Sequence, residues 1–187
     1  MTTGSGQLER IHRELDDVDA RAAALAQACS VDRWQARPPS GGWSPSECLQ
    51  HLELSADAML PRIDAAIDEG RRRQALGDGP YRPRLFARLL MWVLEPPYRM
   101  RSKTGAAFVP AVTRTPEEDV AALRAAHDRV RASLGRARGL ALDRLTLASP
   151  FFERARYDVY GAFAIIAVHA RRHVWQAEQT ARRSSAA

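Results

Sequence analysis

Ser44-Pro45-Ser46-Glu47-Cys48-Leu49-Gln50-His51 opens a helix in unmistakable terms. Ser44 is suited to the N-cap, Pro45 to the first helical position, where its missing N–H costs nothing, and Glu47 to the third, where it closes a capping box. The apolar residues that follow, Leu49, Leu52, Ala56, Met59, Leu60, Ile63 and Ile67, fall at three- and four-residue steps. That is the period of a helix with one buried face. Pro61 lies within this stripe and is expected to kink the helix, because it removes a donor and crowds the preceding turn. His51 sits at the margin of the stripe.

The same reading extends in both directions. Upstream, Leu8, Ile11, Leu15, Val18, Ala22, Leu25 and Cys29 make one face of a helix over residues 6–29, with Arg10, Arg13, Asp17 and Arg21 opposite. Residues 30–43 contain Pro38, Pro39, Gly41 and Gly42 and read as a loop that Trp34 and Trp43 pin to the bundle end. Downstream, Thr115-Pro116-Glu117-Glu118 repeats the capped start. Val120, Leu123, His127, Val130 and Leu134 then form a third stripe, ended by Gly135 and Gly139. Residues 140–152 lack a helical period and read as an extended connector. A last helix spans residues 157–182, with Val159, Ala162, Ile165, Ile166, His169, His173 and Gln176 on one face. Its first half is apolar nearly all round, so it needs cover on both sides, from the middle segment or from a second subunit.

Four long amphipathic helices define an all-α chain, expected to form one domain over residues 1–187 with an elaborated segment at about 70–115. That segment is broken by Gly77, Gly79, Pro80 and Pro83, holds a short amphipathic helix over residues 84–94, and then turns basic at Arg99, Arg101 and Lys103. It is too long for a plain connection and is expected to pack across the bundle or form a lid.

Composition narrows the function classes. The 187 residues are 45% hydrophobic and 27% charged, with a formal net charge of +6. Nearly all the basic residues are arginine, Lys103 is the only lysine and asparagine is absent, a pattern of GC-rich coding rather than of a nucleic-acid surface. No basic run interleaves with aromatics as a recognition module would require, so no nucleic-acid partner is expected. No signal peptide and no run of about 18 apolar residues is visible, so a soluble, cytoplasmic chain with no membrane partner is expected. Cys29 and Cys48 both lie on apolar stripes and are read as buried free thiols.

The chemistry concentrates in histidines. His169-Ala170-Arg171-Arg172-His173 places two imidazoles at i and i+4, one turn apart on one face. Both nitrogens can then reach one ion at roughly 2.0–2.1 Å. Read alone, the pair is equally a core histidine beside a solvated one. His51 strengthens the metal reading, since an antiparallel bundle can set the start of the second helix beside the end of the last. Three neutral imidazoles with open positions suit a catalytic rather than a structural metal. His127, in the third stripe, is a candidate fourth ligand, acid–base group or outer partner, with a hydrogen-bonded core histidine as its plain alternative. Gln176 shares the face of His169 and His173 and is a candidate outer partner for a bound water or substrate. Asp158 and Arg172 are candidates to orient an imidazole.

The segment Trp43-Ser44-Pro45-Ser46-Glu47-Cys48-Leu49-Gln50-His51-Leu52 resembles the second-helix signature of the DinB-like superfamily of damage-inducible and related proteins. His169-Ala170-Arg171-Arg172-His173-Val174-Trp175-Gln176 is similar to its last-helix motif. Helix order and length agree over almost the whole chain. The resemblance implies a four-helix bundle with a long crossover between its second and third helices. It also implies a divalent-metal site at His51, His169 and His173, with zinc, nickel or iron as the ion. Homodimers are common in the family and some members are thiol S-transferases. The expectation is a metal-dependent enzyme that joins a low-molecular-weight thiol to an electrophilic small molecule, for which Arg99, Arg101 and Lys103 are candidates to attract the thiol's carboxylates. The alternatives are a metal-dependent hydrolase and a non-catalytic metal-binding or small-molecule-binding protein.

Overall fold

A computed structural model describes residues 3–39, 41–97, 104–152 and 154–183. Six α-helices lie among them: α1 (Gly4–Ala28), α2 (Val31–Gln35), α3 (Pro45–Arg72), α4 (Leu85–Leu94), α5 (Pro116–Ala137) and α6 (Val159–Arg183). The two capping boxes form as the sequence requires. Ser44 accepts from the Glu47 amide and Glu47 reaches back to the Ser44 amide, and Thr115 and Glu118 do the same at α5. Each such cap contributes about 1 kcal/mol. Pro61 lies inside α3, which continues through it to Arg72.

The bundle consists of α1, α3, α5 and α6. Helix α3 packs on α5 and α6, and α1 packs on the same two from the other side. Polar pairs give the directions. Ser46 meets Asp119, Asp57 meets Arg129 and Asp68 meets Arg136, so α3 and α5 run parallel. Glu14 meets Arg171 and Arg21 meets Glu178, so α1 and α6 run parallel. His51 meets His169 and Trp43 meets Thr180, so α3 and α6 run antiparallel. Parallel α3 and α5 explain the long middle segment. After the 28 residues of α3, about 42 Å of helix, the chain must travel back the same length before α5 begins.

On that return it packs across the bundle. Helix α4 lies on α6, with Ala87 so close to Gly161 that a Cβ there would stand 2.8 Å from the Ala87 Cβ. The middle segment therefore supplies cover for the apolar first half of α6. A 3-10 turn, Ala106–Phe108, then touches α3 before α5 starts. Among the described residues no helix is long and apolar enough to cross a membrane.

Five expectations need correction. The segment 30–43 is not all loop: α2 forms within it, burying Trp34 completely. The stretch 140–152 is not a plain connector: Thr146–Ala148 (β1) pairs antiparallel with Arg156–Asp158 (β2). The last helix starts at Val159 rather than Tyr157, because Asp158 closes the strand and accepts the Gly161 amide at 2.7 Å. Its other oxygen accepts the Arg84 amide at 2.7 Å, anchoring the start of α4. Asp158 is thus a structural cap. Both cysteines are free thiols, but only Cys48 is buried, while Cys29 is half-buried.

Candidate metal centre

The antiparallel pairing of α3 and α6 sets the first half of α3 against the second half of α6, so His51 faces His169 and His173. Their candidate ligand atoms all lie within 4.8 Å of one another. His51 Nε2 is 3.2 Å from His169 Nε2. Two nitrogens each about 2.0–2.1 Å from one ion would stand roughly 2.9–3.4 Å apart for octahedral to tetrahedral angles, and the observed spacing falls in that range. His51 and His173 are buried and His169 is half-buried.

His51 is held from behind. Its Nδ1 donates to the Phe108 carbonyl at 2.8 Å, which leaves the Nε2 lone pair turned toward the other two rings. A ligand's far nitrogen bound to a carbonyl is the usual way of fixing its tautomer. Trp43 covers the cluster, its ring centroid 4.6 Å from that of His51 and 5.6 Å from that of His173.

Electrostatics keep the rings neutral. Burial pushes His51 below the ordinary histidine value, partly opposed by the Phe108 carbonyl. Burial pushes His169 and His173 well below it, and neighbouring imidazoles and Arg172 add to the effect. Neutral imidazole is the form that binds a metal. His173 Nδ1 is buried without a well-formed hydrogen bond, although the Gln176 side chain opposes the downward shift of the ring. A buried polar nitrogen with so little satisfaction costs free energy, and a bound ion with its water is one way to supply the missing partner. The donor set therefore fits a divalent first-row ion, and it includes no carboxylate or thiolate among the described residues.

The other expected residues fall in three places. Gln176 is half-buried beside His173. Arg172 donates to the Val93 carbonyl at 3.2 Å, tying α6 to the end of α4. His127 is not in the three-histidine group. It is buried, and its Nδ1 donates to Asp19 at 2.5 Å, while Arg131 donates to the same carboxylate at 2.6 Å. Arg99, Arg101 and Lys103 lie outside the described residues. Trp43 and Phe108 were not expected at the site: Trp43 reads as a loop anchor, and Phe108 acts through its backbone.

A sequence profile of the DinB superfamily matches residues 14–177. The chain belongs to that superfamily, and the matched span carries α3 and α5 whole, most of α1 and α6, and all three histidines. No curated protein and no solved structure matches it significantly.

Proposed function

We propose that His51, His169 and His173 hold a divalent ion (zinc, nickel or iron) and that the protein joins a low-molecular-weight thiol to an electrophilic small molecule. The observation that carries this reading is the convergence of three neutral imidazoles at single-ion spacing with no carboxylate among them. Three protein ligands leave positions open to an exogenous molecule. A bound divalent cation lowers the pKa of a thiol or water, supplying a nucleophile at neutral pH. The chain's own contribution is to hold the rings neutral by burial, to orient His51 through Phe108, and to shield the cluster from water with Trp43. With an aryl halide as electrophile, the thiol sulfur forms the new S–C bond, halide leaves with the electron pair of the old bond, and the thiol proton passes to solvent.

Metal-loaded protein incubated with a panel of cellular thiols and a chromogenic aryl halide is expected to turn over faster than the His173→Ala variant. A rate no higher than that variant's overturns the transferase reading. Turnover of hydrolysable substrates without thiol would mark a hydrolase instead, and retained metal with neither activity would mark a binding protein.

A further inference from the structure

Beside the three histidines, between α3, α5 and α6, lies a cavity of about 20 Å³. Most of its wall is apolar, including Met59, Ile165 and Ile166, but three polar residues also line it: Ser55, His127 and His169. A volume of this size holds one water molecule, given two to four polar partners. Each of the three has an atom to offer. Ser55 is 5% exposed, and its Oγ is buried without a hydrogen-bond partner. His127 commits Nδ1 to Asp19, which leaves Nε2 without an assigned partner among the described residues. His169 turns Nε2 toward His51, which leaves Nδ1.

We propose that this cavity holds one ordered water that orients His169 as a metal ligand, linking it through Ser55 and His127 to the buried Asp19 carboxylate. The inference rests on the metal-site reading above. It supplies what that reading lacks, since His51 has a carbonyl behind it, whereas among the described residues His169 is bonded only through Nε2, to His51. The donors and acceptors balance. Asp19 accepts the Nδ1 proton of His127, so in the neutral ring Nε2 is an acceptor. The water donates one proton to that nitrogen and shares the other with Ser55 Oγ. Its oxygen then accepts the Nδ1 proton of His169, which leaves the His169 Nε2 lone pair directed at the ion. Asp19 is built to anchor such a chain. Burial alone would raise its pKa, but the hydrogen bonds from His127 and Arg131 outweigh that and hold it below the usual carboxylate range. Asp19, His127 and Ser55 are positioning residues, since none touches the ion itself.

The test is the affinity of the metal-stripped full chain for zinc and for nickel, by competition with a chromophoric chelator. The variants are Ser55→Val, Ser55→Ala and Asp19→Asn, with thermal melting of each metal-free protein alongside. Ser55→Val fills the cavity and removes the hydroxyl. It is expected to weaken metal binding by roughly 10–100-fold while the metal-free melting temperature stays level or rises. Ser55→Ala keeps space for the water and is expected to lose less. Asp19→Asn is expected to weaken binding as Ser55→Val does. A Ser55→Val protein that folds and binds metal within about twofold of wild type overturns the water-linked chain and leaves the three-histidine site standing. Wild-type protein that binds neither metal overturns the site and the inference with it.

Discussion

At the scale of residues, the site depends on polar side chains that the bundle buries and then satisfies. Asp119 shows how. It lies in the core, where burial raises its pKa despite hydrogen bonds from Ser46, Trp34 and Gln50. It accepts from Trp34 Nε1 at 2.8 Å, Ser46 Oγ at 2.6 Å and Gln50 Nε2 at 3.0 Å, joining α2, α3 and α5 just below the site. Asp119→Ala would strand two buried donors, Trp34 Nε1 and the Ser46 hydroxyl, each costing about 1–3 kcal/mol when unsatisfied, while Gln50 Nε2 keeps its bond to Ser46 Oγ at 2.9 Å. Urea unfolding is expected to show a loss of at least about 2 kcal/mol, and a loss under about 0.5 kcal/mol would contradict this role. The three site histidines make a second prediction, for metal-free protein. Their folded pKa values lie below the unfolded value of about 6.5, so the unfolded chain takes up protons first as pH falls. Their stabilising contribution is full above about 6.5, declines below it, and is lost once pH has fallen through the folded values. Thermal melts from pH 8 to pH 5 should fall more steeply for wild type than for a His169→Gln, His173→Gln double variant; parallel curves would refute the assignment.

At the scale of elements, the close approach of α4 to α6 is the sharpest dependency. A Cβ at Gly161 would meet the Ala87 Cβ at 2.8 Å and Asp158 Oδ2 at 2.8 Å, and Asp158 is the residue that anchors both helix starts. Gly161→Ala is expected to cost about 1–3 kcal/mol through overpacking and to loosen α4 from α6. Equilibrium unfolding with a hydrophobic dye present reads both effects, and an unchanged midpoint without dye uptake would show that α4 shifts freely. The long elements were legible because each carries its own period and, for α3 and α5, its own cap. Helix α2 and the hairpin strands were not, because five and three residues are too few to show a period. Trp34 and Tyr157 are completely buried by partners distant in sequence, which local patterns do not report.

At the scale of the whole molecule, the chain order α1, α3, α5, α6 with α3 parallel to α5 forces the long crossover. That crossover then does two things: it covers α6 with α4 and delivers the Phe108 carbonyl to His51. The histidines themselves were readable as side chains at helical spacing, and the family resemblance placed them together. What stands behind them was not readable. Phe108 contributes a backbone atom, Trp43 owes its place to a loop, and the Asp19–His127 pair joins residues 108 positions apart. The central claim is that three histidines from two antiparallel helices make one metal site. Elemental analysis tests it most directly, on wild type, His51→Ala and His169→Ala purified side by side near neutral pH. About one equivalent of a divalent first-row metal is expected in wild type, and markedly less in either variant. Wild-type protein with no more metal than the variants would contradict the claim.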